Sequence, residues 1–301
     1  MSEENIGIWK SLFEFAQRVG ADDPVNNASV STSISTMTEE NKKWLGNALA
    51  QYVDENDPIK LVKEQILAIL DINLTNPTVE EQLKGVSALE ILNDLCENID
   101  NASDFIKVGG LKILTPLLAS SATQLRALSA ELVGNLSQNH FECQNILNEL
   151  CTLNVLCELL EKDPEESVRV KALYGISSMV GQNHKVQADF VKIGGFRYLM
   201  DVCRSNSDRM KIKSLFLMSN LLCNNTEWTR LVLDMDILQT LIRLISDSTH
   251  VNEQVLTILS ILINNCPETA TACTRKEYGL KSTLERRISV LRNSEHTVSV
   301  I

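Results

Sequence analysis

The chain is poor in the material of sheets and of active sites. Aromatic residues are only 5% of its 301 positions, and most of the 44% apolar content is Leu, Ile, Val and Ala. That composition favours helices with small, uniform contacts. A positive excess is missing too: 28 Lys and Arg against 39 Asp and Glu give a net charge of −11. This argues against general nucleic-acid binding and a basic membrane-surface role. No apolar run approaches the length of a membrane span. The first residues, MSEENIGIWK, lack a basic n-region and a long apolar h-region, and the last, HTVSVI, carry no retention signal. The cytosol is the expected location, with the nucleus also consistent.

Catalytic and metal-binding patterns are absent as well. His140, His184, His250 and His296 are scattered, and no HExxH occurs. His140 and His184 each follow a recurring Asn and read as corner residues. The paired glycines do not follow a strand, so they form no nucleotide loop. Acidic runs such as Asp163–Glu166 precede long helices, where negative charge complements a helix N-terminus. Of the eight cysteines, Cys96, Cys143, Cys151, Cys157, Cys203, Cys223, Cys266 and Cys273, none forms CxxC. Buried free thiols in a reducing compartment are expected. No enzyme activity, cofactor or metal is expected.

What is present is a repeat. The segments GGLKILTPLL (109–118), CTLNVLCELL (151–160), GGFRYLMDVC (194–203), MDILQTLIRL (235–244) and YGLKSTLERR (278–287) align on Leu111, Leu153, Phe196, Ile237 and Leu280, at spacings of 42, 43, 41 and 43. Asn98, Asn139, Asn183, Asn225 and Asn265 close the apolar helices that follow or precede them, at spacings of 41, 44, 42 and 40. A period near forty-two without strand patterning predicts a stacked helical solenoid. Each unit reads as short helix, second helix, polar turn and long third helix, which is the armadillo pattern. The stretch LEILNDLCENIDNASDF (89–105) has the most polar corner. There Asp100–Asp104 offer capping side chains for a new helix.

Two features suggest where a partner sits. Counting back from the closing Asn, fourteen residues gives Lys84, Arg169 and Lys211, with Arg126 one off, and twelve gives Lys171 and Lys213. Cations near helix starts are mildly unfavourable, so their recurrence reads either as a ladder for an acidic protein surface or as simple repeat descent on a solvated face. A second ladder is broken: Asn135 aligns with Asp94 and Asn220 with Asn93, while the other units offer Ser178 and Ser260. An extended basic peptide is therefore not expected, and a folded partner in the concavity is.

Residues 5–19 form an amphipathic pattern with Trp9, Leu12, Phe13 and Val19 on one side, tethered by the polar segment Asp22–Thr38. Docking back on the domain, disorder, and a detachable motif for an apolar groove are all open. Residues 37–53 begin with a capping signal at Thr38, and Pro58 opens the next helix.

LEILNDLCENIDNASDF, VRVKALYGIS (168–177) and MKIKSLFLMSNLL (210–222) resemble the heat-shock-protein-70-binding protein family, the armadillo nucleotide exchange factors. LFEFAQRVGADDP (12–24) and MTEENKKWLGNAL (37–49) resemble the N-terminal region of its cytosolic animal members, so the resemblance covers nearly the whole chain. It implies an all-α armadillo solenoid with a flexible N-terminal segment, monomeric, that clasps the outer lobe of the chaperone's nucleotide-binding domain and lets ADP leave. It also implies that Asn101 and Ala102 match the family's contact corner, with Asn98 at its edge, and that Lys213 matches a basic contact position. Lys171, Arg126, Arg169 and Lys211 extend that set by register. Residues 1–36, with Trp9, Leu12 and Phe13, would aid substrate release and meet the chaperone's substrate-binding domain. The expected boundaries are 1–36 (release segment), 37–105 (cap), 106–278 (about four armadillo units) and 279–301 (C-terminal helix and tail). A non-catalytic armadillo scaffold or ubiquitin-pathway adaptor is the alternative.

Overall fold

The computed structural model of the chain describes residues 43–48, 57–245 and 249–298. By its contacts the chain divides into two compact units, 1–61 and 62–301. In the first, residues 43–48 are helical. Trp9, Leu12 and Phe13, with the whole 1–36 segment, lie outside the described residues.

Among the described residues there is no strand. Helices α1 (Pro58–Leu70) and α2 (Val79–Cys96) are followed by triplets. These are α3 (Ile99–Lys107), α4 (Leu114–Leu118) and α5 (Thr123–Ser137); α6 (Phe141–Glu149), α7 (Thr152–Lys162) and α8 (Glu166–Val180). Next come α9 (His184–Lys192), α10 (Gly195–Cys203) and α11 (Asp208–Asn224), then α12 (Glu227–Asp234), α13 (Ile237–Leu244) and α14 (Thr249–Asn265). The described chain ends with α15 (Glu268–Cys273) and α16 (Leu280–Val298). Short, second and long helix recur in the expected order. The long helices α2, α5 and α8 lie side by side, and so do α11 and α14. The buried side chains form one continuous cluster from Val62 to Cys273. Leu89, Leu92, Leu132, Leu136, Leu173 and Ile176 are wholly removed from water within 1%. Each contributes about 1.5–3 kcal/mol by burial.

Local chemistry sets the helix ends. Thr78 and Glu81 form a reciprocal capping box at the start of α2: Thr78 Oγ1 accepts from Glu81 N at 3.2 Å and Glu81 Oε2 accepts from Thr78 N at 2.8 Å. Asn98 caps α3 by accepting from Asp100 N at 2.8 Å. Asp100 and Asp104 are inside that helix, so the cap is the Asn and not the acidic run after it. Asn183 caps α9 in the same way, accepting from Val186 N at 3.3 Å. The recurring Asn has other uses elsewhere. Asn139 takes a left-handed φ of 57° and leaves capping to His140, whose Nδ1 accepts from Cys143 N at 3.3 Å. Asn265 donates to Thr229 Oγ1 at 3.0 Å.

The second helix of each unit is entered through a left-handed residue: Gly109, Cys151, Gly194, Asp236 and Gly279, recurring every 42 or 43 residues. This corner corrects the alignment of the last two units by one residue. Leu238 and Lys281, not Ile237 and Leu280, correspond to Leu111 and Leu153. At Gly110 an added Cβ would lie 2.5 Å from the Phe105 ring, and at Gly195 it would lie 2.4 Å from the Phe190 ring. Four residues before the corner, a Phe requires Gly at the position just after the corner; where that residue is Leu147, the position after the corner is Thr152.

Candidate functional site

Four of the long helices each present a stripe of exposed or half-buried side chains at helical spacing (i, i+3 or i+4, i+7), and the stripes lie next to one another as a wall. On α2 the stripe is Glu90, Asp94 and Glu97, all exposed. On α5 it is Glu131, Asn135 and Gln138; on α8, Lys171, Tyr174 and Ser178; on α11, Arg209, Lys213, Phe216 and Asn220. Hydrogen bonds join the stripes. Asn93 on α2 donates to Leu128 O at 3.1 Å, Asn135 donates to Asn93 Oδ1 at 3.0 Å, and Tyr174 donates to Asn135 Oδ1 at 2.8 Å. A concavity of about 600 Å³ opens in the wall, lined by Gln138, Phe141, Tyr174, Ser178, Leu217 and Asn220 among others.

The predicted site residues separate into two groups. Most are engaged within the fold. Ala102 is 1% exposed, so it faces the core and not solvent. The expectation of an exposed corner at that residue is corrected, because α3 turns its buried face, Ala102 and Phe105, under α2. Asn101 is half-buried and donates to Leu95 O at 2.9 Å, at the end of α2. The same tie recurs one register on, where Gln144 donates to Ser137 O at 2.9 Å, and again where Gln187 donates to Gly181 O at 2.6 Å. Asn101 is therefore the first of a series of amides that close the carbonyl end of the preceding long helix.

Two of the recurring cations have a structural use that the spacing did not reveal. Arg126 Nη1 donates to Ser120 O at 2.9 Å and Ser121 O at 3.0 Å. Arg169 Nη1 donates to Asp163 O at 2.6 Å and Pro164 O at 2.9 Å. Each guanidinium folds back from the start of a long helix onto carbonyls of the turn that follows the helix before it. These charge-assisted hydrogen bonds offset the penalty of a cation at the start of its own helix. Arg126 also grips Asp163 with two nitrogens, at 2.7 and 3.2 Å, with side chains only 12% and 3% exposed. Arg126 and Arg169, expected on a cation ladder, are thus engaged within the fold. Lys211 pairs with Asp208 at 3.1 Å within its own helix, and Lys171 pairs with Glu131 of α5.

Lys213 is different. It is half-buried and no acidic group pairs with it among the described residues. Burial lowers its pKa first, and the positive charges of Arg209 and Lys171 lower it further. A cation at such a position has the capacity to receive an anion from outside. Three neighbours on the wall, Tyr174, Arg209 and Phe216, were not singled out from sequence. The signal was available for the rings, because Phe216 follows Tyr174 by one period and follows Lys213 by three residues on one helix face.

The thiols divide as expected in the main. Cys96, Cys143, Cys157, Cys203 and Cys273 are buried, whereas Cys151 and Cys223 are exposed, and all eight are free. Burial pushes Cys96, Cys143 and Cys157 up to about 12 and Cys203 up to about 11. Among the described residues no group of His, Cys, Asp and Glu is arranged to hold a metal ion, and no helix is long and apolar enough to cross a membrane.

Comparison with known proteins gives this wall a family. A designed armadillo repeat protein solved with a (KR)4 peptide superposes with a TM-score of 0.63 at 18% identity, covering 74% of this chain and 90% of the other. That likeness shows the fold. Hsp70-binding protein 1 of Rattus norvegicus is 32% identical over 295 residues, which is 95% of this chain and 80% of that protein. Hsp70 nucleotide exchange factor FES1 of Saccharomyces cerevisiae is 29% identical over 225 residues, covering 70% of this chain and 73% of that protein. Residues 101–237, the stretch that carries the tied corner, the paired arginines and Lys213, match the SIL1/FES1/HPBP1 C-terminal domain. An all-α stack of armadillo units with an acidic-to-basic wall, alike over nearly its full length to Hsp70-binding protein 1, belongs to the SIL1/FES1/HPBP1 family.

Proposed function

We infer that the protein is a co-chaperone that speeds nucleotide exchange on a heat-shock protein 70 and carries out no chemical reaction itself. The observation that carries this reading is Lys213, a half-buried cation on the long-helix wall that pairs with no acidic group among the described residues. It lies within the stretch shared with relatives named as Hsp70-binding proteins and Hsp70 nucleotide exchange factors. In this reading the wall receives the nucleotide-binding domain of the chaperone. It binds the open, nucleotide-poor domain more tightly than the closed, ADP-filled one. That difference drives release, since equal affinity for both states shifts nothing. Reciprocity then requires ATP rebinding to weaken the complex. The proposed working form is a monomer in the cytosol. Residues 1–36 are assigned a separate part, competition for the chaperone's substrate groove.

The test is release of fluorescent ADP from a cytosolic heat-shock protein 70, chased with ATP. Stoichiometric protein should accelerate it, and the complex should dissociate when ATP is added. A protein that binds the chaperone without accelerating release would be an armadillo adaptor and not an exchange factor.

A further inference from the structure

Phe216 is 54% exposed in the middle of the α11 stripe. Its own helix has a complete buried face without it: Leu215, Leu217, Met218, Leu221 and Leu222 are each at most 3% exposed. One period earlier the wall holds Tyr174 at the same register, half-buried and tied to Asn135 through its hydroxyl. Phe216 has no hydroxyl to be tied. A single exposed ring is ordinary on a protein surface, so its company decides its meaning. Lys213 lies one turn before it and Arg209 two turns before, and neither pairs with an acidic group among the described residues. The concavity begins at the next residue, Leu217. Aromatic residues and Arg are enriched at protein interfaces, where a few residues supply most of the binding energy.

We propose that Phe216 is the apolar anchor of the wall. The partner surface seated there carries a hydrophobic recess next to a carboxylate; the ring enters the recess as the carboxylate meets Lys213 and Arg209. Residues three apart on a helix have Cβ atoms about 5–6 Å apart, so recess and carboxylate are neighbours on the partner. The charges of the wall also fix its orientation. Glu90, Asp94 and Glu97 expose only negative charge on the α2 stripe. An acidic patch is repelled at that end and admitted at α11. This inference rests on the reading that the wall receives the chaperone's nucleotide-binding domain.

The experiment measures binding of the full-length protein to the nucleotide-free nucleotide-binding domain of a cytosolic heat-shock protein 70. Phe216→Ala should weaken binding at least about tenfold, with its melting temperature unchanged. Phe216→Leu should retain most of the affinity. Leu150→Ala, which removes a side chain 51% exposed at the end of α6 and off the long helices, should have no effect. The variant carrying both Lys213→Met and Phe216→Ala should depart from the product of the single effects, because both residues serve one patch. If Phe216→Ala binds as the wild type does while Lys213→Met is weakened, the anchor is overturned and the exchange reading stands. If the wild-type protein neither binds the domain nor accelerates ADP release, the exchange reading falls and takes the anchor with it.

Discussion

Tyr174 crosses from one long helix to the next and donates its hydroxyl to Asn135 Oδ1 at 2.8 Å. Asn135 in turn gives its amide to Asn93, at 3.0 Å. Three successive long helices are thus joined by one chain of side-chain hydrogen bonds. The arrangement also consumes the Asn135 side chain, which in a peptide-binding wall would face an extended backbone. The ring reaches Asn135 only because Gly134 is beneath it: a Cβ there would lie 2.2 Å from Tyr174 Cε1. Gly134→Ala should displace the ring and cost about 1–3 kcal/mol. Tyr174→Phe, which keeps the ring and removes the bond, should cost about 1 kcal/mol. Urea denaturation of both variants checks the order; a Tyr174→Phe variant less stable than Gly134→Ala would contradict it.

Ala102→Arg should damage the fold before it damages any interface. The methyl is 1% exposed, and a guanidinium in its place would be buried without a partner. The expected loss is several kcal/mol, on the scale of an unpaired buried charge. Thermal unfolding followed by circular dichroism reads it directly. A variant that melts with the wild type would mean that α3 can turn Ala102 outward.

Arg126→Met should be among the most destabilising substitutions at a charged residue of this chain. It leaves Asp163, with 3% of its side chain exposed, without its two-nitrogen partner. It also strips Ser120 O and Ser121 O of a donor. Breaking such a pair from one side costs about 3–5 kcal/mol. Replacing both, Arg126→Met with Asp163→Leu, should recover part of the loss. Equal stability of the single and double variants would show that the carbonyl contacts, not the ion pair, carry the effect.

Lys213→Met should leave the free protein at least as stable as the wild type and weaken its complex. The sign follows from linkage. The folded-state pKa is depressed by burial and by Arg209 and Lys171. The unfolded chain therefore holds its proton more tightly. The cost to the fold is fully present below the folded pKa and is relieved as pH rises past the unfolded value. The stability difference between Lys213→Met and wild type should accordingly shrink on going from neutral to alkaline pH, in the window just below the ordinary lysine range. Denaturation curves of the pair over that window provide the check. A difference that grows with pH would mean that Lys213 is stabilised by a partner.

Thiol labelling should separate the cysteines by burial. Cys151 and Cys223 are exposed and should react first, while Cys96, Cys143 and Cys157, pushed up to about 12, should react only after unfolding. Mass spectrometry of the native, briefly alkylated protein identifies which ones carry the label. Early labelling of Cys157 would reveal opening of the second unit.

The sequence by itself determined the repeat and its period. Helix spacing and corner residues are local, so Gly109, Cys151, Gly194, Asp236 and Gly279 fall every 42 or 43 residues along the chain whatever packs around them. The helical class, the missing metal and nucleotide motifs, and the apolar positions of most cysteines are of the same local kind. Tertiary structure alone decided which polar side chains are left over. Arg126, Lys171 and Lys213 recur at nearly one register and look alike in sequence. Yet Arg126 is spent on the carbonyls and carboxylate of two turns, Lys171 on Glu131 of the neighbouring helix, and Lys213 on no acidic group among the described residues. Whether a charge is free depends on what the adjacent unit supplies forty residues away, and no periodicity within a helix records that. Ala102 shows the same limit from the apolar side, since a one-residue rotation of α3 separates a solvent corner from the core.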